Sequence, residues 1–156
     1  MARDREQRAT KVLAVASGGG HWIQLLRVLP AFEGAELVFA CAHADCRDDV
    51  PGKRVHVVTD ANQWERLRTL KLAFEMFGVV MRERPDVVFS TGAAPGFFAL
   101  FFGRLFGART IWLDSLANVD RLSLSARLVR PFAKLWLTQW AELAGPDGPE
   151  YAGSAY

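Results

Sequence analysis

Apolar positions along the chain follow two different spacings. Short β-prone runs alternate with longer segments whose apolar residues recur at helical intervals. The predicted strands are Lys11–Ala16, Glu36–Cys41, Arg54–Val58, Asp86–Ser90, Arg109–Leu113 and Leu135–Gln139. The predicted helices are Trp22–Phe32, Gln63 to about Arg84, Gly96–Phe106, and a last one that Ser123 or Ser125 can cap and Pro131 can kink. Strands that alternate with helices indicate an α/β fold, here a Rossmann-like, doubly wound parallel sheet.

The long helix predicted over 63–84 has the clearest amphipathic pattern. Its apolar residues are three or four positions apart, which predicts a stripe buried against the sheet. The members of this stripe are Leu67, Leu70, Phe74, Phe77 and Met81. Pro85 follows and is expected to end the helix.

These elements occupy residues 11–143, which suits one domain in a chain of 156 residues with 51% hydrophobic content. There is no room for a second full-size domain. Residues 1–10 are polar and predict a frayed tail, and residues 144–156, rich in glycine and proline, predict a flexible one. No run reaches the ~18 apolar residues of a spanning helix. We therefore expect a soluble or peripheral protein.

Charge and cysteine content narrow the function only slightly. A net charge of +2 gives no general argument for a nucleic-acid partner. Cys41 and Cys46 are too few for a disulfide framework and, without a secretory signal, indicate a reducing compartment. With His43 and Asp45 they supply metal-ligand types, but a second ligand pair is missing. We predict no metal site, a buried Cys41 and a solvated loop after it.

Two predicted strand-to-helix turns consist of small residues, and His21 follows the first. Glycine lets a backbone approach a ligand closely, and the free N–H groups of a helix's first turn favour a phosphate. If the first and fourth strands flank the point where strand order reverses, both turns open on one cleft that suits a diphosphate. The alternative is two unrelated packing turns and a surface His21. The candidate diphosphate-binding residues are Ser17, Gly18, Gly19, Gly20, Thr91, Gly92 and Ala93.

Several common nucleotide and hydrolase motifs are missing from the sequence. A dinucleotide fingerprint needs a third glycine where Ile23 stands, and no ribose-binding acid follows the second strand convincingly. The Gly-Lys-Ser/Thr of a phosphate loop and the Gly-x-Ser-x-Gly of a nucleophile elbow are also lacking. NAD-dependent, P-loop and serine-hydrolase functions are all disfavoured.

Aromatic residues crowd the helix predicted over 96–106 and cover more than one of its faces. Such a helix is either sandwiched between the sheet and a neighbouring element or exposes an apolar patch. A patch of this kind suits a bilayer surface or, equally, a protein partner. The candidate membrane patch is Phe97, Phe98, Phe101, Phe102 and Arg104.

Five segments, taken in order, carry a family resemblance. They are Ala16–His21 followed by Gln24-Leu25, then Ser90–Ala93, Thr110–Ser115, Leu122–Ser125 and Leu137–Leu143. Together they resemble the asparagine-linked-glycosylation protein 14 family, whose bacterial relatives act in exopolysaccharide and capsule assembly. The glycine–histidine turn alone is shared with the wider class of lipid-linked-sugar transferases. The ordered set is more specific, above all its last segment.

The resemblance implies the amino-terminal half of a split GT-B glycosyltransferase, inactive alone, in polysaccharide or lipid-linked oligosaccharide biosynthesis. This chain would bind a polyprenyl-diphosphate-linked sugar acceptor, carry no cofactor itself, and recruit a partner subunit that holds the UDP-sugar donor. One Rossmann-like domain cannot form the two-domain cleft that a GT-B reaction needs. The size of the chain therefore agrees with its being one half of such an enzyme. Eukaryotic members carry an amino-terminal membrane helix that is missing here. We therefore expect peripheral attachment at the cytoplasmic face of the inner or plasma membrane.

The resemblance also suggests roles for individual residues. Sugar transfer with inversion needs a base for the acceptor hydroxyl, and His21 is the best candidate. Asp114, where the family commonly has Glu, is the alternative base or an acceptor-orienting group, and Ser115 contacts the acceptor sugar. No metal is required. Two competing classes remain: a non-catalytic scaffold for a glycosyltransferase, and a free-standing small-molecule Rossmann enzyme. The tail over 145–156 is a candidate docking segment for the partner.

Overall fold

The computed structural model describes residues 8–155 and contains one parallel sheet. Its seven strands lie in the order β3-β2-β1-β4-β5-β6-β7. They are β1 (Lys11–Val15), β2 (Glu36–Cys41), β3 (Arg54–Val57), β4 (Val87–Ser90), β5 (Arg109–Leu113), β6 (Leu135–Thr138) and β7 (Glu150–Tyr151). All six predicted strands are present, each with ends within one residue of the prediction. The α/β, doubly wound fold is confirmed.

The α-helices are α1 (Gly19–Val28), α2 (Cys46–Asp49), α3 (Arg66–Glu83), α4 (Ala93–Leu105) and α5 (Leu124–Val129). Three 3₁₀ turns, Leu29–Phe32, Arg130–Phe132 and Ala141–Leu143, complete the described secondary structure. Pro131 lies in the second of these turns, so the predicted kink is a change to 3₁₀ geometry at the end of α5. In the described part of the chain, no helix has both the length and the apolar character needed to cross a bilayer.

The two faces of the sheet bury two separate cores. Leu13 and Val15 point toward α3, α4 and α5, whereas Val12 and Ala14 point toward α1 and α2. Because both faces of β1 are covered, its sequence is a continuous apolar run instead of an alternating one.

The prediction that Leu67, Leu70, Phe74, Phe77 and Met81 form the buried face of α3 is wrong. Leu67 is 83% exposed and Phe74 is 70% exposed, and Leu70, Phe77 and Met81 are also exposed. The buried residues of α3 are Leu72, Met76, Val79, Val80 and Glu83. This helix has two apolar faces, and periodicity alone does not say which of them meets the sheet. The face that carries the two valines lies against the core, and the face that carries the two phenylalanines points outward.

Glu83 is buried among cations at the edge of the sheet where the strands begin. Its carboxylate accepts hydrogen bonds from His56 Nε2 at 2.6 Å and Lys11 Nζ at 3.3 Å. Arg54 Nε lies 2.8 Å from the same group, which is only 3% exposed. Burial by itself raises the pKa of Glu83, but these bonds and charges outweigh it, so that its pKa lies below the usual value.

Cys41, at the end of β2, and Cys46, in α2, are joined by a disulfide. The pairing differs from the expectation of two cysteines in a reducing compartment. Cys41 is buried as predicted, and His43 and Asp45 in the loop between them are exposed as predicted. Cys46, expected in the solvated loop, is instead buried in the core.

The terminal segments also differ from the prediction. Residues 1–7 of the predicted amino-terminal tail lie outside the described residues, whereas Arg8 bonds to Asp86 at 2.9 Å. Instead of a flexible tail, residues 150 and 151 form β7 beside β6. Ser154 Oγ then donates to the carbonyl oxygen of Gln139 at 2.7 Å. The folded part therefore extends to residue 155.

Candidate functional site

The strand order reverses between β1 and β4, in the middle of the sheet. From β1 the chain continues to β2 and β3 on one side, and from β4 to β5, β6 and β7 on the other. In a parallel sheet this arrangement opens a crevice at the carboxyl ends of the two central strands. The turns that follow β1 and β4 therefore lie side by side, as predicted.

These two turns have nearly the same backbone conformation. Gly18 (φ 143°, ψ −174°) precedes α1, and Gly92 (φ 140°, ψ −177°) precedes α4. This region is essentially restricted to glycine. The next residues, Gly19 at φ 53° and Ala93 at φ 67°, are both left-handed. We call this pair the twin turns, defined by Ser17–Gly20 and Thr91–Ala93.

Within residues 8–155, no side chain caps either helix start at the twin turns. Neither Gly18 nor Gly92 can supply a side-chain cap, and neither helix has an acidic residue in its first turn. The first N–H groups of α1 and α4 are therefore available to an external anion.

His21 joins the twin turns directly. Its Nδ1 lies 3.0 Å from the carbonyl oxygen of Thr91, and Thr91 Oγ1 donates to the carbonyl oxygen of His21 at 2.6 Å. Since a carbonyl oxygen can only accept, Nδ1 carries the proton of the neutral ring and Nε2 is left as an acceptor. This orientation is the one that a general base requires.

Two imidazole rings fill the space beside the glycines. A Cβ atom on Gly92 would lie 2.6 Å from the ring of His21, and a Cβ atom on Gly18 would collide with the ring of His43. Sequence reasoning placed His43 only in a solvated loop. Its contact with the first turn has no signal in the sequence, because it depends on how the β2–α2 loop folds back over β1.

Asp114 is buried at the end of β5, only 1% exposed. Its Oδ1 accepts from Ser123 Oγ at 2.7 Å, and its Oδ2 accepts from the backbone N–H of Ser123 at 3.0 Å and from Asn118 Nδ2 at 3.2 Å. The carboxylate thus holds both ends of the loop between β5 and α5. Its burial and its full set of partners favour a positioning role over that of a base.

A buried glutamine pair connects α1 with β6. Gln139 Nε2 donates to Gln24 Oε1 at 2.7 Å and to the carbonyl oxygen of Asp114 at 2.9 Å. Gln24 Nε2 reaches Ser115 Oγ at 3.3 Å, and Gln139 Oε1 accepts from the N–H of Ala155. Ser115 is buried within this network. The sequence contained Gln24 and Gln139 as parts of motifs, but no spacing rule indicated that they touch.

Two cavities lie near the sheet edges. One of about 410 Å³ is at the carboxyl edge, lined by Gln63, Asn118, Arg121 and Arg127 among others. A larger one of about 840 Å³ lies at the opposite edge and contains none of the predicted site residues. Across residues 8–155, no group of three or more His, Cys, Asp or Glu side chains is arranged to hold a metal.

The phenylalanines of α4 are half-buried and pack on the core, on one another and on neighbouring helices. Phe101 makes a T-shaped contact with Phe132, with 4.9 Å between ring centroids. Phe102 makes a T-shaped contact with Phe77 of α3 at 5.4 Å. Arg104 and Phe106 at the end of the helix are exposed. Part of the predicted patch is thus internal packing, and its role at a membrane stays a prediction.

The fold is that of one half of a GT-B protein. It matches the crystal structure of Acinetobacter baumannii MurG with a TM-score of 0.76 and 12% identity, over 94% of this chain and 46% of that one. It matches UDP-N-acetylglucosamine 2-epimerase from Rickettsia bellii with a TM-score of 0.70 and 11% identity, over 95% and 46%. At such identities the likeness concerns the fold alone, and this chain spans less than half of each matched chain.

Sequence comparison identifies the family. The family model described as "Oligosaccharide biosynthesis protein Alg14 like" matches residues 53–154. The UDP-N-acetylglucosamine transferase subunit ALG14 of Eremothecium gossypii is 27% identical over 165 residues, 85% of this chain and 74% of that protein. Its namesake from Yarrowia lipolytica is 38% identical over 72 residues, 42% and 33% of the respective chains. This chain belongs to the Alg14-like family of oligosaccharide biosynthesis proteins, and the predicted resemblance is confirmed.

Proposed function

We propose that this chain is the acceptor-binding subunit of a two-component inverting glycosyltransferase. Its acceptor would be a polyprenyl-diphosphate-linked sugar, and its partner subunit would hold a UDP-sugar donor such as UDP-N-acetylglucosamine. The observation that carries the proposal is the contact of the twin turns through His21. That contact combines two uncapped helix starts with a correctly oriented imidazole.

The diphosphate would bind between the starts of α1 and α4. Two adjacent helix N-termini offer N–H groups and positive dipole ends to two neighbouring phosphates. At the start of α1, Gly19 and Gly20 are exposed and leave their backbone accessible to the phosphates. With these two anion sites side by side, the chain would hold the acceptor diphosphate without a metal.

His21 would take the proton of the acceptor hydroxyl on Nε2 as the hydroxyl oxygen attacks the donor sugar. The bond from that sugar to UDP breaks in the same step, and UDP leaves with the bonding electron pair on the partner subunit. Its Nδ1–H remains bonded to Thr91, which fixes the ring and stabilises the imidazolium that forms. Asp114 would act indirectly, by holding the loop that carries Ser115 beside the acceptor sugar.

The donor would bind to the partner, because a GT-B cleft forms between two Rossmann-like domains and this chain provides one. The matched share of MurG, 46%, supports this division. The partner would be recruited to the membrane by this chain, which attaches peripherally at the cytoplasmic face. The segment over 145–155 is the candidate docking element for that partner.

The test is sugar transfer by the co-purified pair of subunits, with a detergent-solubilised polyprenyl-diphosphate sugar and a panel of UDP-sugars. His21→Gln should lower turnover by about 100-fold or more at unchanged thermal stability, since general base catalysis contributes this much. His56→Gln, at the opposite edge of the sheet, is the matched control and should keep wild-type turnover per folded protein. Full turnover in His21→Gln would show that His21 is not the general base.

Two further outcomes would indicate a different function for this chain. If variants of His21 and Asp114 both retained full turnover while the isolated partner needed this chain only for recovery or solubility, the chain would be a scaffold. If the isolated chain converted a soluble nucleotide substrate, it would be a free-standing Rossmann enzyme.

A further inference from the structure

The outward face of α3 is an apolar surface that the twin-turn site does not use. We call it the α3 face, and its members are Trp64, Leu67, Leu70, Phe74, Phe77 and Met81. Trp64, just before the helix, is 82% exposed. An isolated exposed leucine needs no explanation, but a contiguous row of large side chains marks a surface that meets another phase or molecule.

The α3 face continues onto the end of α4. Phe77 lies 5.4 Å from Phe102 and 5.8 Å from Phe106, measured between ring centroids. Phe106 and Leu105 are themselves exposed. The apolar surface therefore covers two neighbouring helices, and its outermost members come from α3.

The charges around this surface are predominantly positive. Helices α3 and α4 carry five basic residues and two acidic ones, and one of the acidic residues, Glu83, is buried. The other, Glu75, accepts hydrogen bonds from Thr59. Among residues 8–155, Arg66, Arg82 and Arg104 have no carboxylate within 4.0 Å. Aromatic and leucine side chains flanked by unpaired arginines are typical of a helix that lies in an anionic membrane interface.

The position of α3 relates this surface to the twin turns. Because α3 connects two parallel strands, it runs opposite to them and begins at the carboxyl edge of the sheet, where the twin turns lie. Gln63, the neighbour of Trp64, lines the 410 Å³ cavity at this edge together with Arg121 and Arg127. A bilayer in contact with Trp64 and Leu67 would therefore have its headgroups level with the cavity.

We propose that the α3 face lies flat on an anionic bilayer and is the main membrane-docking surface of this chain, in place of the aromatic cluster of α4. This inference rests on the proposed function, for which it explains how a lipid-linked diphosphate reaches the twin turns without leaving the headgroup layer. Phospholipid headgroups supply the negative charge that the arginines complement.

The test is flotation of the purified full chain with vesicles of phosphatidylcholine alone or with about 30 mol % phosphatidylglycerol. The wild type should bind the anionic vesicles and bind neutral ones much less. Leu67→Glu/Phe74→Glu should weaken anionic vesicle binding by more than about tenfold, since it places two charges in the apolar contact. Both positions are already solvent-exposed, so the fold should survive, as circular dichroism would check.

A matched control separates the α3 face from general charge effects. Val57→Glu/Tyr151→Glu adds the same charge at exposed positions on the two outer strands and should bind vesicles as the wild type does. Equal loss in both double variants, or none in either, would overturn the proposal. The wild type could instead fail to bind vesicles and self-associate in sedimentation experiments, with the association lost in Leu67→Glu/Phe74→Glu. That result would show that the α3 face binds a protein partner.

Transfer assays distinguish failure of this inference from failure of the proposed function. With the partner and a short-chain, water-soluble acceptor, Leu67→Glu/Phe74→Glu should turn over like the wild type. With a long-chain acceptor in vesicles it should lose activity in parallel with vesicle binding. Normal turnover on the vesicle-bound acceptor would refute membrane docking by α3 while leaving the acceptor-binding role intact.

Discussion

Replacement of Gly92 by alanine tests whether the twin turns are as tightly constrained as their geometry indicates. Gly92 has a backbone conformation that is essentially restricted to glycine, and its neighbour Ala93 is already left-handed. An added Cβ would also lie 2.6 Å from the His21 ring, close to a rigid group that is bonded to Thr91. The turn can relieve the overlap only by moving α4 or by displacing the imidazole.

The expected loss of stability follows from these two effects. The backbone conformation costs about 1–3 kcal/mol for a residue with a side chain. Forcing His21 away from its preferred rotamer adds about 0.5–1.5 kcal/mol. The free energy of unfolding should therefore fall by roughly 1.5–4.5 kcal/mol, a large part of the ~5–15 kcal/mol typical of a domain. Turnover of the two-subunit enzyme should fall further, because His21 loses its bond to Thr91.

Urea unfolding followed by tryptophan fluorescence measures the first effect, and transfer with the partner measures the second. Gly78→Ala is the control: it lies inside α3, and outside the local helix backbone no atom lies within 4 Å of the added Cβ. There alanine should raise the free energy of unfolding by about 0.5–1 kcal/mol. If Gly92→Ala were as stable and active as the wild type, the inferred coupling between the twin turns and His21 would be refuted.

Two other substitutions test the supporting structure. The lowered pKa of Glu83 means that its contribution to stability is present above about pH 4.5 and is lost as the pH falls through the lowered pKa. In urea unfolding from about pH 7 to 3, Glu83→Gln should be less stable than the wild type at neutral pH and lose less on acidification; parallel pH profiles would contradict this. Gln139→Leu removes the bonds to Gln24 and Asp114 and should cost about 1–3 kcal/mol while accelerating hydrogen exchange over 114–123 and 150–155. Unchanged exchange in those segments would show that the glutamine does not hold them.

The element order and the site at the centre of the sheet were predictable because their signals are local. Apolar runs bounded by glycine or proline defined β1 to β6, and the small residues at Ser17–Gly20 and Thr91–Ala93 marked both turns. Strand alternation with helices then implied a parallel sheet with a switch point. The contact between the two turns followed from topology alone, and the bond between His21 and Thr91 agrees with it.

Other features depend on long-range packing and had no local signal. The two-residue strand β7 is too short for a recognisable pattern, and it forms only because the edge of β6 pairs with it. Asp114 stands where a base or an acceptor-orienting group is expected, yet its partners Asn118 and Ser123 come from the loop that it holds. The pairing of Gln24 with Gln139, which are 115 residues apart, brings together side chains that no spacing rule connects.

Sequence by itself determined the α/β class, the succession of elements along the chain up to β6, the twin turns and the family. Only the tertiary structure decided which side of α3 meets the core, because Leu72, Met76 and Val79 form one apolar face and Leu67, Phe74 and Phe77 form another. Burial is a property of what lies opposite a helix face, and a helical period records only that the face is apolar. On α3, the outward face is exposed because the opposite apolar face packs against the sheet.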